Sequence, residues 1–151
     1  MTTPSSDTTG EMTKVLRKEI KENRILIVDD EPDVALTLKV TLEDNGFKVD
    51  AFDDPLLALE NFKVEVYDLA ILDIKMPKMN GFELFREIKK TDNNVKVCFL
   101  TALNELHDYE QFRKVAFPKE GERYFIQKPI ENEEIIKRVN EIMTAGSNKE
   151  I

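Results

Sequence analysis

The chain has 151 residues, enough for one domain with its own core and too few for two well-packed ones. Apolar residues are 41% and charged residues 34%, a globular composition, and the net charge of -8 argues against a broad basic surface for nucleic acid or anionic lipid. One cysteine, Cys98, and one histidine, His107, exclude an intramolecular disulfide, a cysteine zinc cluster and a histidine-rich metal centre. No apolar run approaches the roughly 20 residues of a membrane span, and Met1 to Gly10 carries no secretory stretch, so a cytoplasmic setting is expected.

Residues 1–22 read as a flexible leader. The first ten are Thr/Ser-rich, and Met12, Val15, Leu16 and Ile20 then fall at helical spacing. Lys14, Arg17, Lys18 and Lys21 balance Asp7, Glu11, Glu19 and Glu22, so the acidic excess lies in the domain, expected over 23–145 with 146–151 as a tail.

From Arg24 the pattern alternates. Arg24 to Val28 is a nearly continuous apolar run, as a strand buried on both faces requires. A helix is predicted from Glu31 to Asn45, with Pro32 in its first turn and Gly46 as its stop. Phe47 to Phe52 alternates like a strand; Asp53-Asp54-Pro55 starts a helix running to about Lys63. Tyr67 to Leu72 is the third strand, followed by a helix from Asn80-Gly81 to near Lys90. Val95 to Leu100 is the fourth strand, with Cys98 as a small core residue, and Leu103 to Val115 is helical. Tyr124 to Gln127 is a short strand, and Glu131 to Met143 an amphipathic helix stopped by Gly146. Five strand–helix units predict an α/β fold: a (βα)5 doubly wound, open, parallel five-stranded sheet.

Ligands of such sheets sit outside the carboxyl ends of the strands. There the sequence places Asp29, Asp30 and Glu31, then Asp73, then Thr101, then Lys128 followed by Pro129. Converging carboxylates repel one another, and a hard divalent cation such as Mg2+ resolves this with oxygen ligands. One carboxylate is then left to attack a phosphoryl group, a reaction that needs positioning and charge neutralisation. Asp73, ending the middle run, is the expected nucleophile, with the Lys128 ammonium and the Thr101 hydroxyl for the remaining phosphoryl oxygens. Each residue has an ordinary reading alone: Asp29-Asp30 or Thr101 as helix caps, Lys128 as a surface charge, His107 as solvated. The ordered set is what carries the argument.

Four segments taken together, Ile25-Leu-Ile-Val-Asp29-Asp30-Glu31, Leu72-Asp73-Ile-Lys-Met-Pro77-Lys-Met-Asn-Gly81, Leu100-Thr101-Ala102 and Lys128-Pro129, resemble the receiver domain of two-component response regulators, a flavodoxin-like fold, over residues 24–145. The resemblance implies a phosphoacceptor at Asp73 and Mg2+ held by Asp29, Asp30, Asp73 and the backbone carbonyl of Lys75. It implies Thr101 and Phe125 as switch residues, Lys128 as the invariant lysine, and a cis Lys128-Pro129 bond. It also implies a donor histidine kinase or histidine phosphotransfer protein. Leu103 and Lys75 match positions that tune phosphoaspartate hydrolysis. The output surface would be residues 104–145, read by a separate effector because no output domain follows; a phosphorylation-dependent homodimer stays open. The domain would assist its own phosphorylation and dephosphorylation rather than act as an enzyme on other substrates.

Several features depart from the pattern. Phe125 stands where Tyr is frequent, and Arg123 and Tyr124 replace small residues. The stretch from Thr101 to Gly121 is about five residues long beyond the usual, with the excess near Phe117-Pro118-Lys119-Glu120. A pseudo-receiver with dead chemistry is one alternative. A haloacid-dehalogenase-like aspartyl phosphatase is another, although Lys75 stands where such enzymes place a second Asp. On the first helix Val34, Leu38 and Leu42 share a face expected in the core, while Leu36 and Val40 project oppositely as a candidate docking stripe for the donor.

Overall fold

The computed structural model describes residues 23–102 and 125–149. The leader 1–22, the expected helix 103–115 with His107, and the extension near 117–120 lie outside them, as do Arg123 and Tyr124.

Five parallel strands form one sheet: β1 (Arg24–Val28), β2 (Lys48–Phe52), β3 (Leu69–Asp73), β4 (Lys96–Thr101) and β5 (Phe125–Gln127). Their order is β2-β1-β3-β4-β5, so the chain reverses its direction of growth after β2. The crevice between β1 and β3 is therefore the topological switch point, where such sheets bind ligands. Four helices are described: α1 (Pro32–Glu43), α2 (Pro55–Glu60), α3 (Gly81–Thr91) and α4 (Asn132–Lys149).

Alternate residues of the strands serve two cores. Ile25, Ile27, Leu69, Ile71, Cys98 and Leu100 pack with Leu38 and Leu42 of α1 and Ile135, Val139 and Ile142 of α4. Leu26, Val28, Ala70, Leu72, Val97 and Phe99 pack with Ala58 of α2 and Leu84 and Ile88 of α3. This is why the central strands read as continuous apolar runs: both faces are covered. Cys98 is fully buried among apolar neighbours, which pushes its thiol up to about 12. The face of α1 falls as its periodicity predicts. Leu38 and Leu42 are buried, Val34 is half-buried against the same core, and Leu36 and Val40 are 59% and 49% exposed.

Three helix ends differ from expectation, the first only slightly, with α1 ending at Glu43 rather than Asn45. α2 stops at Glu60 rather than near Lys63. The Asn61 side chain donates to the Leu57 carbonyl at 2.9 Å, and Glu65 turns the chain at a φ of 67°. Its N–H is received by the buried carboxylate of Asp92 at 2.8 Å, so a partner 27 residues away fixes the turn that follows the helix. α4, in turn, continues through Gly146 to Lys149. A helical glycine costs only about 1 kcal/mol relative to alanine, and does not end a helix without a turn to receive the chain. Gly46 has such a turn: its φ of 94° takes the chain out of α1 into β2. β1 spans the expected residues; β2, β3 and β4 start one or two residues later than expected, and β3 and β4 end one residue later.

The segment after β3 is fixed at both ends. Ile74 donates to the Leu100 carbonyl at 3.0 Å, and the Gly81 N–H to the Ile74 carbonyl at 2.8 Å. Asn80 and Glu83 cap α3 reciprocally at 2.8 and 2.9 Å. A Cβ on Gly81 would collide with the Asp73 carbonyl oxygen and come within 3.1 Å of the Asp73 carbonyl carbon and Ile74 Cα. None of these backbone atoms can yield cheaply. Gly81→Ala is expected to destabilise the domain by about 2–3 kcal/mol in urea denaturation. An unchanged midpoint would mean that α3 does not seat against β3 this closely.

Candidate functional site

Register brings the polar residues together. Val28 pairs with Leu72, Asp73 with Leu100, and Thr101 with Gln127. Asp29, Asp73, Thr101 and Lys128 therefore emerge at one edge of the sheet, each at or just past the last apolar pair of its strand. Backbone bonds hold their starting points. Asp29 N–H donates to the Phe52 carbonyl at 3.1 Å, and Lys128 N–H to the Thr101 carbonyl at 2.8 Å. The Lys128-Pro129 bond is cis, as the resemblance implied.

Oxygens of Asp29, Asp30 and Asp73 lie within 4.8 Å of one another. Asp29 is fully buried, Asp73 is 4% exposed, and Asp30 is half-buried. The Lys128 ammonium lies 2.9 Å from Asp29 Oδ2 and 3.5 Å from Asp73 Oδ2. It also donates to Glu31 Oε1 at 2.9 Å.

The electrostatics follow from this crowding. Burial raises the Asp73 carboxyl most, hydrogen bonding with Asp30 and the Asp29 charge add to it, and Lys128 opposes; the result is pushed up to about 8. Burial also raises Asp29, against the Glu31 N–H bond at 2.9 Å and the Lys128 contacts. Burial works against the Lys128 ammonium, but Asp29, Glu31 and Asp73 outweigh it and hold the amine protonated. Buried Asp29 Oδ2 has the Lys128 ammonium, 2.9 Å away, as its countercharge. Three carboxylates against one ammonium leave excess negative charge among hard oxygen donors, which is the chemistry of a divalent-cation site, and the three fit Mg2+.

Thr101 is fully buried, its hydroxyl donating to the Ala102 carbonyl at 3.2 Å. Phe125 is 7% exposed and turned into the α3 side of the sheet. Its ring lies 5.5 Å from that of Phe99 and 6.4 Å from that of Phe82, and its carbonyl accepts from Arg138 at 2.7 Å. Lys75 is exposed on the segment after Asp73. Leu103 lies outside the described residues.

Glu31 is the partner that sequence reasoning left unused. It occupies the N-cap of α1 yet makes no capping bond with its side chain, which instead reaches Lys128. The available signal was a long acidic residue directly after an aspartate pair, before Pro32, where Ser, Thr, Asp or Asn is the usual cap.

The model of the response regulator receiver domain matches residues 25–140. The transcriptional regulatory protein DltR of Streptococcus agalactiae is 32% identical over 116 residues, 77% of this chain and 50% of that protein. The regulatory protein VanRB of Enterococcus faecalis is 36% identical over 120 residues, 80% of this chain and 52% of that protein. The chain thus spans about half the length of the curated relatives it matches. Among solved structures, a response regulator receiver domain protein from Clostridium thermocellum superposes with a TM-score of 0.68 at 27% identity, covering 83% of this chain and 97% of its own. A CheY-like receiver from Methanospirillum hungatei gives 0.69 at 28% identity, covering 84% and 98%. Fold, strand-end residues and sequence match therefore agree, and the chain belongs to the response regulator receiver domain family of two-component systems.

Proposed function

We propose that this receiver accepts a phosphoryl group on Asp73 from a phosphohistidine of a partner kinase or phosphotransfer protein. The observation that carries the reading is the meeting of Asp29, Asp30 and Asp73 with Lys128 at the switch point of the sheet. An Asp73 oxygen attacks phosphorus, the new O–P bond forms as the donor's P–N bond breaks, and the imidazole leaves with the bonding pair. Lys128, fixed by its backbone bond to Thr101, faces a phosphoryl oxygen, and the Thr101 hydroxyl turns to another. Asp29, Asp30, Asp73 and the Lys75 carbonyl would hold Mg2+, which when bound neutralises phosphoryl charge. Thr101 and Phe125 would then bias the 104–145 surface toward an effector protein, a shift between two packings rather than a new fold. Residues 104–124 of that surface lie outside the described residues. The exposed Leu36 and Val40 are the apolar stripe offered to the donor's helices. Among the described residues no helix is long and apolar enough to cross a membrane.

Intact-mass measurement after incubation with acetyl phosphate tests this. One phosphoryl adduct that needs Mg2+ and is absent in Asp73→Asn is expected, with Lys128→Ala slowing its formation about a hundredfold. No adduct in the wild type would favour a pseudo-receiver, and turnover of generic phosphate esters an aspartyl phosphatase.

The crowded carboxylates also set a pH dependence for the metal-free protein. The Asp73 pKa is raised in the fold above the roughly 3.9 of an unfolded aspartate, so its share of stability is full below about pH 4 and lost as pH rises toward 8. In EDTA, Asp73→Asn should therefore melt a few degrees above the wild type at pH 8, with a smaller gap at pH 5. A gap that does not grow with pH would contradict the crowding.

A further inference from the structure

We infer that Glu31 is a positioning residue for phosphoryl transfer: it holds the Lys128 ammonium off the phosphoryl-facing position and so restrains transfer to Asp73. The inference rests on the phosphoacceptor reading of Asp73. Lys128 Nζ is 2.9 Å from both Asp29 Oδ2 in the floor and Glu31 Oε1 at the rim, but 3.5 Å from Asp73 Oδ2, so Glu31 is the outward of its two close partners. Both ends of the contact are anchored. Glu31 N–H is bound to Asp29 Oδ1 at 2.9 Å, and Lys128 N–H to the Thr101 carbonyl at 2.8 Å. The side chain of Glu31 is released for this contact because it does not cap α1.

The two sides of the Lys128 ammonium differ in kind. Asp29 and Asp73 lie in the buried floor, whereas the Glu31 side chain is 64% exposed at the rim. A phosphoryl group forming its bond to Asp73 must draw the ammonium inward, and each approach to phosphoryl oxygen weakens the bond to Glu31. A carboxylate paired at the rim therefore competes with the transition state for the same cation, and it adds repulsion against an anionic donor. Asp33 supplies the control. It is exposed and lines the same 550 Å³ groove beside Glu31 and Lys128, yet it makes no ion pair with Lys128. Loss of its charge changes the repulsion without releasing the lysine.

The test is the phosphorylation rate with acetyl phosphate and Mg2+ at fixed ionic strength for wild type, Glu31→Gln and Asp33→Asn, with the 15N resonance of the Lys128 ammonium recorded in each protein. Glu31→Gln should react about two- to fivefold faster, the scale of a partly exposed ion pair, and shift the ammonium resonance. Asp33→Asn should leave the resonance unmoved and gain only the smaller part of the acceleration that comes from reduced repulsion. Equal rates for Glu31→Gln and wild type, equal acceleration by Asp33→Asn, or an unmoved resonance in Glu31→Gln would each overturn the role of Glu31. A wild type inert to acetyl phosphate would remove the phosphoacceptor reading, and this inference with it, even where the resonance shows the contact.

Discussion

The interaction on which this architecture turns is the ammonium of Lys128 set against buried carboxylates. Asp29 and Asp73 are nearly inaccessible to solvent, and an anion taken out of water is costly unless a countercharge meets it. Lys128 meets both, together with Glu31 at the rim. It reaches them from the last strand of the sheet, so β5 must be paired to β4 and in register before the charges balance. The site is thus a product of the whole sheet rather than of one loop.

The same constraint explains why the surroundings are rigid. Strand β3 ends at Asp73, and the chain is immediately held by the Leu100 carbonyl on one side and by Gly81 against the Asp73 carbonyl on the other. The segment between carries Lys78 at a φ of 73°, its ammonium paired with Asp54 at the start of α2. That exposed ion pair adds little stability, but it links the segment after Asp73 to the neighbouring helix. Phe82, the first side chain after Gly81, lies edge-on to Phe99 and contacts Phe125. Backbone and rings thus run in contact from the strand end of Asp73 to Phe125.

Much of this was legible in the sequence, for physical reasons that can be named. The runs at 25–28, 69–72 and 97–100 are apolar because both sheet faces are covered, and the residue after each run stands at the ligand-binding edge. The alternation of Leu38 and Leu42 with Leu36 and Val40 gave the inner and outer faces of α1 directly. What the sequence hid was decided by distant partners. The turn after α2 is held by Asp92 receiving the Glu65 N–H, and neither residue has a local signal for the other. Likewise, Glu31 looks like an ordinary acidic residue at a helix start until Lys128 arrives from 97 positions away. Gly146 misled because a glycine ends a helix only where the chain can turn.

One ammonium faces three clustered carboxylates, two of them buried, so the cluster keeps an excess of negative charge of the kind that a divalent cation would offset. The most direct measurement is the thermal unfolding midpoint as a function of MgCl2 for wild type and Asp30→Asn at neutral pH. Because binding to the folded state alone stabilises by RT ln(1 + [L]/Kd), the wild-type midpoint should climb steadily with Mg2+ while that of Asp30→Asn stays nearly flat. A wild-type midpoint indifferent to Mg2+ would contradict the account.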